Sequence, residues 1–149
     1  IILDRPRNYD KIKELKKMEV EIDFIQNGDI VGALRAVDGD ADLLMGIGSA
    51  PEGVITATAV KGLKGIFEGK LYFHKISYKE NAEKVLGENA NKIWNESELC
   101  TSNNALFVAT GVCDGWLPGV KFEENIIKTW SKLIYVESGE IKTIKTIHN

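Results

Sequence analysis

The stretch that decides the fold is Gly46-Ile47-Gly48-Ser49-Ala50-Pro51-Glu52-Gly53. Apolar residues 43–45 precede it and apolar residues at helical spacing follow it, which predicts a strand, a glycine-containing turn and a helix. Pro51 suits the first turn of a helix, because its missing N–H would have no partner there. Since α/β folds bind ligands beyond the carboxyl ends of their strands, we expect a ligand site at this turn.

Glu52 has two interpretations, and its spacing from Ser49 alone favours the structural one. The pair fits a capping box, in which Ser49 is the N-cap and the Glu52 carboxylate accepts a hydrogen bond from the Ser49 N–H. In the functional interpretation, the same carboxylate at the start of the helix binds a ligand. The segments on either side of the turn carry the evidence for that second interpretation.

Length, charge and cysteine content narrow the class of protein. The 149 residues fit one domain, and the net charge of −3 provides no electrostatic footprint for nucleic acid or an anionic membrane. No apolar run approaches the roughly 18 residues that a membrane span needs. Two cysteines are too few for a disulfide framework, so the expected location is the reducing cytoplasm. The chain opens on Ile1-Ile2-Leu3, an apolar run without a methionine, and we expect a piece of something longer.

Apolar periodicity gives the expected order of elements along the chain. We expect helices over residues 10–18, 30–37, 51–64 and 80–86. We expect strands over residues 1–3, 20–25, 41–45, 70–73 and 105–109, then an antiparallel hairpin over 126–136 and 140–147. The predicted fold class is therefore α/β, a mostly parallel sheet flanked by helices with an antiparallel C-terminal hairpin.

Two arginines follow the first predicted strand. Arg5 and Arg7 flank Pro6, and both can hold a phosphate through bidentate hydrogen bonds. Their spacing alone slightly favours the other interpretation, which is two solvated surface arginines.

Polar residues also follow the second predicted strand. Asp29 is well placed as the N-cap of the next helix. Alternatively, Asn27 and Asp29 bind sugar hydroxyls, since a carboxylate accepts hydrogen bonds and an amide both donates and accepts them. Because parallel strands end along one sheet edge, these residues, the two arginines and the Ser49–Glu52 turn are expected to lie together. That combination describes a site for a phosphorylated sugar, with or without a metal ion.

Five segments in order along essentially the whole chain resemble the class II (GlpX-type) fructose-1,6-bisphosphatases. They are Leu3-Asp4-Arg5-Pro6-Arg7, Asn27-Gly28-Asp29, the stretch 46–54, the loop 109–115 and the C-terminal segment 138–148. Each segment alone is unspecific, whereas the combination is specific. The resemblance covers only the second half of the family's sequence.

The resemblance implies hydrolysis of the 1-phosphate of fructose 1,6-bisphosphate with Mg²⁺ or Mn²⁺, and some members also accept sedoheptulose 1,7-bisphosphate. It implies the fold of the lithium-sensitive inositol and fructose phosphatases, with this chain as the C-terminal domain, and a homo-oligomer for the complete enzyme. By resemblance, Glu52 binds the catalytic metal ion. The substrate-binding residues implied in the same way are Arg5, Arg7, Asn27, Gly28, Asp29 and Ser49.

Three positions depart from the family's usual pattern and bear on substrate preference. Asn8 stands where a histidine is usual, Asn27 replaces an aspartate and Ser49 replaces a glycine. The family's other metal carboxylates lie in the N-terminal half, and one carboxylate cannot form a phosphatase metal centre, so the chain alone is expected to be inactive. The alternatives are a non-catalytic sugar-phosphate-binding module and a nucleotide-binding domain, which ranks lower without a Gly-x-Gly-x-x-Gly motif.

Overall fold

The computed structural model describes residues 1–149 and contains five α-helices. They are α1 (Tyr9–Lys17), α2 (Asp29–Val37), α3 (Ala50–Gly62), α4 (Ile76–Leu86) and α5 (Glu96–Leu99), with 3-10 helices at Pro6–Asn8 and Gly87–Asn91. All four predicted helices are confirmed, although α4 begins four residues before the expected start at residue 80. None of the helices combines the length and apolar character needed to cross a bilayer.

The strands form three separate sheets, and most of their pairing is antiparallel. The strands are β1 (Ile2–Leu3), β2 (Phe24–Ile25), β3 (Glu68–Gly69), β4 (Trp94–Asn95), β5 (Leu106–Thr110), β6 (Lys121–Glu123), β7 (Ile126–Tyr135) and β8 (Ile141–His148). Only β1 and β2 pair in parallel. In the largest sheet β7 pairs antiparallel with β5, β6 and β8. The α/β class and the C-terminal hairpin are confirmed, but the mostly parallel sheet is wrong.

The missing parallel strands have an identifiable cause in the segment 41–45. This segment runs beside β1, where the Ile1 amino group donates to the Leu43 carbonyl (2.7 Å) and the Met45 N–H donates to the Ile1 carbonyl (3.0 Å). These bonds hold it next to β1, but it forms no regular strand there. Apolar patterning predicts burial and extension, whereas a strand also needs a neighbour that supplies a continuous ladder.

Two other predicted strands are also wrong in extent. The strand predicted over 20–25 shortens to β2, and the strand predicted over 70–73 does not form. Instead β3 forms just before that segment and pairs antiparallel with β4. The polarity of Glu68 and the small size of Gly69 hid this strand from a reading based on apolar alternation.

The core lies where α2 and α3 cover one face of the large sheet. Its buried centre is Leu34, Ala59, Phe107 and Ile134. An ideal Cβ placed on Gly62 of α3 would lie 2.6 Å from Ile134 Cγ2, so the helix approaches β7 this closely only because residue 62 is glycine. This packing orients α3 so that its N-terminus lies beside the loops that follow β1 and β2.

Candidate functional site

The segment that follows β1 reaches two other loops through its side chains. Arg5 Nη2 donates hydrogen bonds to the Gln26 carbonyl (2.7 Å) and to Asn27 Oδ1 (2.8 Å) in the loop after β2. Arg7 Nε donates to the Ile47 carbonyl in the turn before α3. Arg7 is exposed, and neither of its terminal nitrogens Nη1 and Nη2 makes a hydrogen bond, so both are free to bind an anion.

The loop after β2 places Asp29 against the turn before α3. Gly28, in the left-handed region with φ of 88°, is the N-cap of α2, and Asp29 is the first helical residue. The prediction that Asp29 is the N-cap is therefore wrong by one residue, because the αL conformation required there suits glycine. The Asp29 carboxylate lies so close to Gly48 that an ideal Cβ on this glycine would be 2.6 Å from Asp29 Oδ2.

The turn before α3 forms the predicted hydrogen bond from the Ser49 N–H to the Glu52 carboxylate, and a second one from the Ser49 hydroxyl. Glu52 Oε2 accepts from the Ser49 N–H (3.2 Å) and from Ser49 Oγ (2.8 Å). The capping interpretation is thus confirmed. It does not exclude a ligand role, since both bonds end on Oε2, no hydrogen bond uses Oε1 and the side chain is exposed.

The two carboxylates have pKa values that shift in opposite directions. Burial raises the pKa of Asp29, the negative charge of Glu52 raises it further and the Arg7 guanidinium lowers it. The hydrogen bonds from the Ser49 hydroxyl and backbone N–H lower the pKa of Glu52, and Arg7 adds to that decrease. Arg7, Asp29 and Glu52 are therefore close enough to influence one another electrostatically. The expected meeting of three loop ends is confirmed.

Comparison with known proteins identifies the family. The family model described as bacterial fructose-1,6-bisphosphatase, glpX-encoded, matches residues 1–148. The chain belongs to this family. The resemblance noted from the five sequence segments is thereby confirmed.

Curated relatives in the glpX-encoded fructose-1,6-bisphosphatase family carry one common description. Proteins named D-fructose 1,6-bisphosphatase class 2/sedoheptulose 1,7-bisphosphatase are 33% identical in Gloeobacter violaceus, 32% in Trichodesmium erythraeum and 34% in Prochlorococcus marinus strain MIT 9301. Each match covers 99% of this chain. The chain spans about half the length of these relatives, 47%, 47% and 49% respectively.

Two carboxylates at the candidate site have the chemistry of divalent-metal ligands. Glu52 and Asp29 present carboxylate oxygens, the donors that Mg²⁺ and Mn²⁺ prefer. However, no group of three or more His, Cys, Asp or Glu side chains is placed to hold a metal ion. Glu52 thus fits the chemistry of one ligand, and the remaining ligands must come from outside these residues if a metal ion binds here.

Sequence reasoning did not assign a site role to Asn8, which the structure places between two of the loops. The residue is 0% exposed, and its side chain hydrogen-bonds to Leu3 at the end of β1 and to Ile47 in the turn before α3. The resemblance marked residue 8 only as an asparagine where a histidine is usual, and asparagine is common in exposed loops. The burial of Asn8 indicates that it connects these segments, and this burial depends on the path of the chain around residue 47.

Proposed function

We propose that this chain is the substrate-recognising half of a metal-dependent sugar bisphosphatase that hydrolyses the 1-phosphate of fructose 1,6-bisphosphate. The family membership and the names of the relatives support this reaction, and those names also extend the proposal to sedoheptulose 1,7-bisphosphate. We further propose that the chain corresponds to the C-terminal domain of the lithium-sensitive phosphatase fold. The complete enzyme is proposed to be a homo-oligomer.

The observation that carries the proposal is the convergence of Arg7, Asp29 and Glu52 around Gly48. The Arg7 guanidinium has two free donor nitrogens and lies close enough to both carboxylates to change their pKa values. Both carboxylates lie beside Gly48, which has no side chain. Such an arrangement can bind a phosphate on Arg7 while holding carboxylate oxygens beside it. A purely structural cluster would be expected to use the guanidinium donors internally.

The proposed roles follow from the atoms that remain free. Arg7 holds a substrate phosphate through Nη1 and Nη2, while its Nε fixes the guanidinium to Ile47. Arg5 adds its positive charge near the same phosphate. It also donates a hydrogen bond to Asn27 Oδ1, which orients the amide so that Asn27 Nδ2 can donate to a sugar oxygen. Asp29 accepts hydrogen bonds from sugar hydroxyls. Gly28 and Ser49 complete the contact with the sugar on either side.

Glu52 is proposed to be one carboxylate ligand of Mg²⁺ or Mn²⁺, with its Oε1 available for this purpose. When bound, the ion supplies Lewis-acid polarisation of the phosphoryl group and a water of lowered pKa. The contribution of this chain is to bind the phosphate and sugar and to hold them in a fixed orientation beside that carboxylate.

The test measures phosphate release from fructose 1,6-bisphosphate by the product of the complete reading frame, with Mg²⁺, with Mn²⁺ and with EDTA. Arg7→Ala should raise KM by roughly 10- to 150-fold, because a charge-assisted hydrogen bond contributes about 1.5–3 kcal/mol. Arg5→Ala should raise KM in the same direction. Lys17→Ala is the control, since that lysine is exposed and pairs only with Glu14 on α1.

Glu52→Gln distinguishes a metal ligand from a helix cap. Glutamine is accepted in a capping box, so the melting temperature should change little. Divalent ions prefer carboxylate oxygens, so kcat should fall by orders of magnitude. Near-normal turnover in this variant would reduce Glu52 to a cap, and activity that survives EDTA would contradict metal dependence. Binding of the sugar phosphate without hydrolysis would favour the non-catalytic module.

A further inference from the structure

Asn8 is the buried polar residue that joins the phosphate-binding segment to the turn carrying Ser49 and Glu52. Its Nδ2 donates a hydrogen bond to the Leu3 carbonyl (2.9 Å), and its Oδ1 accepts one from the Ile47 N–H (3.1 Å). An amide with 0% exposure that uses both its donor and its acceptor is held in one orientation. Asn8 therefore connects the end of β1 to the turn before α3.

The peptide groups of Ile47 are held on both sides by consecutive residues. Asn8 accepts from the Ile47 N–H, and Arg7 Nε donates to the Ile47 carbonyl. Ile47 is followed directly by Gly48, against which the Asp29 carboxylate lies, and then by the N-cap of α3. A displacement of Ile47 would consequently move the Arg7 guanidinium and the Glu52 carboxylate relative to each other.

The turn also packs against the Asn8 amide at Gly46. An ideal Cβ on Gly46 would lie 3.8 Å from Asn8 Nδ2 and 3.9 Å from Asn8 Oδ1, which is ordinary contact distance. The amide thus fits the space beside the turn without strain, and a smaller side chain would leave that space open. A cavity at this point would remove the lateral support of the turn as well as its hydrogen bond.

We infer that Asn8 is a positioning residue, which fixes the separation between the phosphate-binding Arg7 and Glu52 by holding the Ile47 peptide. The inference rests on the proposed function for the identity of the reaction. Asn8 touches neither substrate nor metal ion in this role, and it acts through Ile47. Displacement of catalytic groups by about 1 Å can reduce turnover by about 100-fold. We therefore expect substitution of Asn8 to change mainly kcat.

The experiment compares Asn8→Ala, Arg7→Ala and the double variant in the product of the complete reading frame. Asn8→Ala should lower kcat at least about 10-fold with KM within about 3-fold, because the Arg7 guanidinium is still present to bind phosphate. When Arg7 is absent, there is no guanidinium for Asn8 to hold in position relative to Glu52. In the Arg7→Ala background the same change should then lower kcat by less than about 3-fold.

Asn95→Ala is the matched control, since it also removes an asparagine that makes two hydrogen bonds. Asn95 Oδ1 accepts from the Ser97 and Glu98 N–H groups at the start of α5. This control should lower the melting temperature and leave kcat unchanged. If Asn8→Ala behaves like Asn95→Ala, or if its effect on kcat is the same with and without Arg7, the positioning role is wrong.

A second variant and an exchange measurement test the same role. Asn8→His keeps one ring donor and one ring acceptor in its neutral form, so it should lose less kcat than Asn8→Ala, and it replaces that variant if alanine prevents folding. Hydrogen exchange of the Ile47 amide should accelerate at least about 10-fold in Asn8→Ala. If the wild-type protein releases no phosphate, the proposed function fails, and the exchange rate alone decides whether Asn8 holds the turn.

Discussion

Asp29 and Glu52 show how one cluster gives two carboxylates different properties. Burial raises the pKa of Asp29, whereas hydrogen bonds from Ser49 lower that of Glu52. The contribution of Asp29 to stability is therefore complete below the ordinary pKa of aspartate and is lost as pH rises through its raised value. The contribution of Glu52 is present above the ordinary pKa of glutamate and is lost as pH falls through its lowered value.

We expect the Asp29 pKa to respond to both neighbours in metal-free protein. Glu52→Gln removes a negative charge and should lower the pKa of Asp29, whereas Arg7→Ala removes a positive charge and should raise it. Carboxyl ¹³C NMR titration in EDTA measures both shifts. Lys17→Ala provides the control, with no change expected at Asp29. An Asp29 pKa that is the same in all four proteins would mean that the three groups are not coupled.

At the scale of elements, α3 connects the core to the candidate site. Its N-terminus carries Ser49 and Glu52, and its C-terminal end packs Gly62 against Ile134 of β7. The Glu52 carboxylate is therefore located by the position of the whole helix on the sheet as well as by its local cap. A substitution at the C-terminal end of α3 tests how much its packing against β7 contributes to the stability of the protein.

Gly62→Ala should destabilise the protein by about 1–3 kcal/mol, because the added methyl overlaps Ile134 Cγ2. Ile134→Leu removes that branch, so the double variant should recover part of the loss. Gly53→Ala is the matched control within the same helix, since the nearest atom to its new methyl, Phe67 Cζ, is 4.0 Å away. It should stabilise by about 0.5–1 kcal/mol through helix propensity. Denaturant unfolding measures all four, and a neutral Gly62→Ala would disprove the close contact.

At the scale of the whole molecule, many large apolar side chains of the chain are exposed. Only 20 of 149 residues are buried, and the face of the large sheet opposite α3 exposes Leu106, Val108 and Ile144. In addition, no three side chains of ligating type come together to hold a metal ion. Both observations accord with a chain that spans about half the length of its relatives.

The 149-residue chain alone should release no phosphate from fructose 1,6-bisphosphate with either Mg²⁺ or Mn²⁺. In the proposed function Glu52 is the one metal ligand from this chain, and hard divalent ions need several oxygen ligands to bind and act. A phosphate-release assay on the purified chain, beside the product of the complete reading frame, measures the difference. Circular dichroism is the control for folding. Hydrolysis by the folded chain would mean that a complete metal site exists within these residues.

The sequence by itself determined the local parts of this protein. Residues 46–53 specified a turn and a capped helix, because Ser49, Pro51 and Glu52 act on backbone groups within one helical turn. Apolar spacing predicted helices over 10–18 and 30–37, which form as α1 and α2 with shifts of one residue, and the strand pattern around Ser138-Gly139 predicted the C-terminal hairpin. Each of these signals is contained within a few neighbouring residues, so no distant contact was needed to predict them.

Only the tertiary structure decided which segments pair and which side chains meet. Residues 41–45 have the composition of a strand, yet their backbone makes only two hydrogen bonds to Ile1 beside β1 and no regular ladder. Nothing in the sequence indicated that Asn8 is buried, and its burial depends on the turn at Ile47, whose N–H it binds. Strand pairing and burial depend on partners 20 to 40 residues away along the chain, and the free energy of such contacts is not encoded in local spacing.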